Sequence, residues 1–211
     1  MPRAKAPLTR STLLETQRSM AFALEARDLL DRKREILLAE LSAVAPRAEQ
    51  AREALYQGLS DAYEKLGRAR MDLGVDGVRR VALAAPGRPE IRITERSIVG
   101  AIVPVIACPT PDTRPRFSVA GLGVEVDRAT IAFALLLQAA CRAAQTEATI
   151  VRLGREIRKT QRRVNALNNV VIPSQEAIIK EVREALEEAE REDFFRANRL
   201  RRGRQAKEGP R

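Results

Sequence analysis

The sequence predicts a mainly α-helical chain in which the N- and C-terminal helices form a long antiparallel two-helix coiled coil around a small β-rich hairpin insert. Three observations lead there. Two long stretches space their apolar residues at alternating steps of three and four, the seam of a coiled coil. The stretch between them is punctuated by Gly and Pro and rich in β-branched residues. Aromatic residues make up only 3% of the 211 residues, too few for a rounded core, whose buried area large rings usually supply.

The predicted elements follow in order: a tail over 1–10, a coiled-coil helix over 11–72, an insert over 73–127, a second helix over 128–202 and a basic tail over 203–211. Pro7 blocks backward extension of the first helix, and Thr9 or Ser11 can cap it. Its seam runs through Leu37, Leu41, Val44, Leu55, Leu59 and Leu66, with Ala48, Ala51 and Ala62 between. Pro46 predicts a bend, and Gly67 and Gly74 weaken the end. In the insert, Ile91–Thr94, Ile98–Ile106 and Phe117–Val126 are the predicted strands, and the hairpin they form is expected to cap the far end of the helices. The second seam comprises Ile150, Leu153, Ile157, Val164, Leu167 and Val171. It resumes after Pro173, slightly shifted, at Ile178, Val182, Ala185 and Ala189, so Pro173 predicts a kink and not a reversal. Each helix would be roughly 90–110 Å long at 1.5 Å per residue. Each needs a partner for its stripe, and antiparallel pairing supplies it.

Composition then narrows the function. The chain has no His, which removes the commonest general base and metal ligand. Cys108 and Cys141 alone cannot make a Cys/His zinc site, and they read as free thiols of a reducing, cytoplasmic setting. No phosphate-binding loop is present, because Gly121-Leu122-Gly123 lies among strand-like residues and reads as a bulge or turn. No catalytic residue, metal site or cofactor is called for. The apolar runs Ile98–Cys108 and Ala129–Cys141 fall short of the roughly 20 residues that span a bilayer.

The net charge of +10 invites nucleic-acid binding. However, Arg196–Arg211 hold seven basic residues against one acidic, so most of that excess is a tail. No aromatic residues interleave with it to stack on bases, and nucleic acid is not an expected partner. The acidic run Glu181–Asp193 interleaves with Arg183 and Arg191 and reads as a solvated helix face. Arg162, Arg163, Asn165, Asn168 and Asn169 form a polar stretch unusual for plain coiled coil. It is either a register-setting layer or a surface on which another protein of an assembly rests. Phe194-Phe195 is either a docking anchor or the end of the seam. A rod of this kind suits spacing, bridging or transmitting force better than chemistry, which wants a concave pocket.

The stretch Lys159-Thr-Gln-Arg-Arg-Val-Asn-Ala-Leu-Asn-Asn-Val-Val-Ile-Pro173, with Glu190-Arg-Glu-Asp-Phe-Phe-Arg196, resembles the C-terminal signature of the D subunit of V-type and archaeal-type rotary ATPases. Leu8-Thr-Arg-Ser-Thr-Leu-Leu14 and Leu29-Leu-Asp-Arg-Lys-Arg-Glu-Ile-Leu37 resemble the N-terminal signature of that family. The resemblance implies a non-catalytic rotor shaft inserted in a hexamer of catalytic A and regulatory B subunits. The small F subunit and a connector to the membrane ring would attach to it, at the cytoplasmic face and without direct membrane insertion. Thr9, Arg10, Arg162, Arg163, Asn165, Asn168, Asn169, Phe194, Phe195, Arg196, Arg199, Arg201 and Arg202 are then the expected hexamer contacts. The F-type gamma shaft needs a larger middle domain than this insert can hold. The remaining alternative is a free-standing coiled-coil adaptor with a basic, nucleic-acid-binding tail.

Overall fold

The computed structural model describes residues 7–84, 89–110, 114 and 123–207, with side chains through Arg201. Its elements are α1 (Arg10–Ala84), β1 (Arg92–Ile98), β2 (Ala101–Ala107), α2 (Val124–Ala166), a π-helical turn (Leu167–Val171) and α3 (Ile172–Lys207). They divide into two compact units, Arg34–Arg158 and the termini Met1–Lys33 with Lys159–Arg211.

In the Arg34–Arg158 unit, α1 and α2 run antiparallel. Leu37, Ala48, Ala62 and Ala69 are buried on α1 and Val126, Ala129, Ala132, Cys141, Ala143 and Leu153 on α2. Most of these side chains are small, which lets helix axes approach to the lower end of the usual 8–10 Å. Tyr63 meets Phe133 edge-on with ring centroids 5.8 Å apart, and Arg52 donates through Nε and NH2 to Glu147 Oε1 at 3.2 and 2.9 Å. One seam residue is corrected: Leu59 is 40% exposed. The seam passes instead through Gly58, whose missing Cβ would sit 3.5 Å from Leu136 Cδ1. A step of three from Leu55 therefore continues the alternation, and the bulkier neighbour misled the sequence reading.

The first helix continues beyond residue 72. Gly74 adopts φ 70°, ψ 167°, a conformation open to glycine and costly for other residues. The chain then resumes as helix, and Val78 and Val81 pack on Ala69, Val126 and Ala129. This short segment, not the hairpin, covers the far end of the helices. A Cβ on Gly77 would stand 2.9 Å from that of Leu73, so the two halves of the break touch closely.

The hairpin lies along the side of the helix pair, contrary to the expectation that it caps the end. β1 pairs antiparallel with β2, from Arg92 opposite Ala107 to Ile98 opposite Ala101. Val99 and Gly100 turn with φ 49° and 81°, the two positive angles of a type I′ turn. Ala101 and Val103 bury against Leu37 and Leu153, with Leu41, Ile98 and Ile157 around them. Arg152 NH1 donates to the carbonyl of Ile102 at 3.1 Å and holds the strand on α2. Pro104 is tolerated because a two-stranded ribbon leaves each strand one free edge. Of the third expected strand, Phe117–Val126, residues 124–126 are helical, and residues 117–122 lie outside the described residues.

The terminal unit is built from the start of α1 and the chain after Lys159, again antiparallel. Gln175 Nε2 donates to Ser19 Oγ at 3.2 Å, and Arg10 donates to Glu190. Thr9 is the N-cap, its Oγ1 accepting the Thr12 N–H at 3.2 Å. Ala23, Thr160, Val164, Ile172 and Val182 are buried. Pro46 sits inside α1, whose backbone leaves helical angles only at Gly74.

Pro173 has a different local consequence from a simple kink. Proline has no N–H, and its ring collides with the carbonyl four residues earlier. The chain responds with the π turn, in which the Ile172 N–H reaches back five residues to the Leu167 carbonyl. That wider turn inserts one residue, so the buried side moves by one position. Before it the covered residues are Ile157, Thr160, Val164, Leu167 and Val171; after it they are Ile172, Gln175, Ile179, Val182 and Leu186. Ile178 and Ala185 are half-buried at the flank, and Ala189 is exposed.

Candidate functional site

The predicted contact residues all fall in the terminal unit, in two patches. The first follows from the proline. Arg162, Arg163, Asn165, Asn168 and Asn169 are exposed, and Asn165 accepts a hydrogen bond from Gln161 Nε2 at 2.8 Å. The widened turn leaves Asn168, Asn169 and Val170 facing outward, Val170 with 65% of its surface accessible. Asparagine amides displayed on a helix both donate and accept, while the neighbouring guanidinium groups are planar donors fitted to carboxylates and carbonyls.

The second patch is the end of α3. Every residue from Glu187 to Arg201 is exposed. Phe194 and Phe195 are 65% and 71% accessible and stack edge to face at 6.4 Å, so they do not finish the seam. Arg10 and Thr9 come to this patch through the Arg10–Glu190 ion pair. The acidic run is a solvated face, laced by Lys180–Glu184, Arg191–Glu188 and Arg196–Glu192 pairs at 3.9, 3.7 and 3.0 Å. Arg196 also meets Asp193 at 3.8 Å, so its guanidinium is already engaged along its own helix. Arg199 and Arg201 are exposed, and the Arg202 side chain lies outside the described residues. Between Arg163 and Phe194 the helix advances about 45 Å at its usual rise, so the structure does not gather the two patches into one site.

Sequence reasoning missed a third group. Phe22 and Leu29 are 72% and 64% accessible, and Leu14 is 55% accessible. Phe22 and Leu29 stand seven residues apart, hence on one side of α1, away from the seam. Their spacing was the available signal: an apolar residue that fits the helical period but not the seam needs another partner. Large apolar residues exposed in one region mark protein interfaces more often than chance. Among the described residues, no group of three or more Cys, Asp and Glu gathers as a metal site, and no helix is long and apolar enough to cross a membrane.

Residues 12–202 match the family model of the ATP synthase D subunit. The chain is similar to the V-type ATP synthase D subunit of Thermotoga neapolitana, 33% identical over 192 residues that cover 91% of this chain and 95% of that protein. It is 35% identical to the A-type ATP synthase D subunit of Pyrococcus horikoshii over 197 residues, 91% of each chain. With the A-type ATP synthase D subunit of Methanopyrus kandleri it shares 33% identity over 194 residues, 91% of this chain and 84% of the other.

Proposed function

This chain belongs to the ATP synthase D-subunit family, and from that premise we propose that it is the central-stalk component of a V/A-type rotary ATPase, with its terminal unit as the part that enters the catalytic hexamer. The observation that carries the placement is the uncovered end of α3. A helix that exposes Phe194, Phe195, Arg199 and Arg201, with no covering element among the described residues, is half of an interface.

The proposed partners are the alternating catalytic A and regulatory B subunits around the terminal unit, with the small F subunit and the connector to the membrane ring on the Arg34–Arg158 unit. The chain itself catalyses nothing in this reading. It turns inside the hexamer, and its unequal faces drive the three catalytic interfaces through different conformations in sequence. The phenylalanines act as the apolar bearing, and Thr9, Arg10, Arg162, Arg163, Asn165, Asn168, Asn169, Arg196, Arg199, Arg201 and Arg202 make individually weak polar contacts that re-form at each step. The complex would hold the chain peripherally at the cytoplasmic face of the membrane. The free-standing adaptor has no support in the matches, which span both terminal helices.

Reconstitution with A and B subunits tests the placement. The double variant Phe194→Ser, Phe195→Ser should keep the helical content of the isolated chain yet weaken insertion about tenfold or more, as expected for aromatic anchors. Insertion and coupled ATPase at wild-type levels would remove the phenylalanines, and the uncovered helix end, from the role given them here.

A further inference from the structure

Cys108 and Cys141 take no part in the function above, yet the fold makes them neighbours. Cys108 follows the last residue of β2, and Cys141 lies within α2. Two hydrogen bonds bracket them. The Ile106 N–H donates to Gln145 Oε1 at 2.9 Å, and Gln138 Nε2 donates to the Pro109 carbonyl at 3.3 Å. Gln138, Cys141 and Gln145 are spaced by three and four, so they share one side of α2. The chain from Ile106 to Pro109 crosses that side, which brings the Cys108 side chain within hydrogen-bonding reach of Cys141. Both are free thiols, Cys108 half-buried and Cys141 buried. Burial first, and then hydrogen bonding to Cys108, pushes the Cys141 thiol up to about 11. Cys108 is consequently the sulfur that a reagent meets first.

We infer that Cys108 and Cys141 form a dithiol oxidation site, closed by low-molecular-weight disulfides into an intramolecular bridge that ties the end of the hairpin to α2. The Cys108 thiolate attacks one sulfur of the reagent, the reagent's S–S bond breaks, and one thiolate leaves. Cys141 then gives its proton to solvent and attacks Cys108 Sγ, releasing the second thiolate. The protein loses two electrons and two protons, and the reagent is reduced to two thiols. The bridge joins residues 33 positions apart and so restricts the unfolded chain.

The full-length chain is incubated with oxidised glutathione, quenched with iodoacetamide and read by intact mass and non-reducing peptide mapping. The expected product has lost two hydrogens, carries no glutathione, yields a linked Cys108–Cys141 peptide, and unfolds several degrees higher until dithiothreitol is added. Cys141→Ser should stop at a glutathione adduct on Cys108, and Cys108→Ser should react about tenfold or more slowly than Cys141→Ser. A wild-type chain that stops at the Cys108 adduct overturns the inference. So does one that links only between molecules, forms the bridge only in denaturant, or does not react.

Discussion

The Arg34–Arg158 unit and the terminal unit use the same device, an antiparallel pair of helices, and finish it differently. In the first, the hairpin and the helical segment after Gly74 lie over the pair, and Leu37, Val81, Val103, Val126 and Leu153 are all buried. In the second no further element among the described residues covers the helices, and the buried set shrinks to Ala23, Thr160, Val164, Ile172 and Val182. One region completes its own core. The other leaves apolar side chains for something else to cover.

If that contrast is right, the largest loss should come from the covered core. Leu153→Ala empties a fully buried site between α1, α2 and the hairpin and should cost about 3 kcal/mol in denaturant unfolding. Val182→Ala in the terminal unit removes two buried methyl groups and should cost about 1.5 kcal/mol. An equal or larger loss at Val182 would mean that the terminal unit carries as much stability as its neighbour. Val99→Asn should instead stabilise, by about 1 kcal/mol, because asparagine tolerates the left-handed conformation that a β-branched residue resists. The smallest effect belongs to Gly154→Ala: nothing lies within 4 Å of the added methyl, so the helix gains about 0.5–1 kcal/mol of propensity. Thermal unfolding of each variant gives the sign directly.

These variants also sort what the sequence could reveal. Leu37, Leu153, Val164 and Val182 were legible because burying one side of a helix imposes a period of three and four on its apolar residues. Gly58 was not, since a residue without a side chain adds nothing to an apolar pattern even where it permits the closest approach. The segment from Val75 to Ala84 was hidden by Gly74 and Gly77, which look like loop residues until one sees a single break between two helical runs. The side on which the hairpin lies depends on Gln145 and Arg152 meeting strand carbonyls and amides, a pairing that no local pattern encodes. Of the candidate site, the motif residues were readable, but whether Phe194 and Phe195 closed the seam or stood exposed was not. The division into two patches was not, because it depends on which neighbours cover each turn, and Phe22 was not because it lies off the seam.

The π turn before Pro173 carries one more consequence, for anyone who cuts or splices this chain. A chimera joined inside Leu167–Val171 must have its frame counted separately from each side, because the two flanks belong to registers that differ by one residue. A donor helix continuous in heptads would keep every residue type it needs and still present the wrong side to α1. The junction behaves like a spliced reading frame: one added position, harmless where the turn absorbs it, would rotate the whole downstream helix if moved a few residues away.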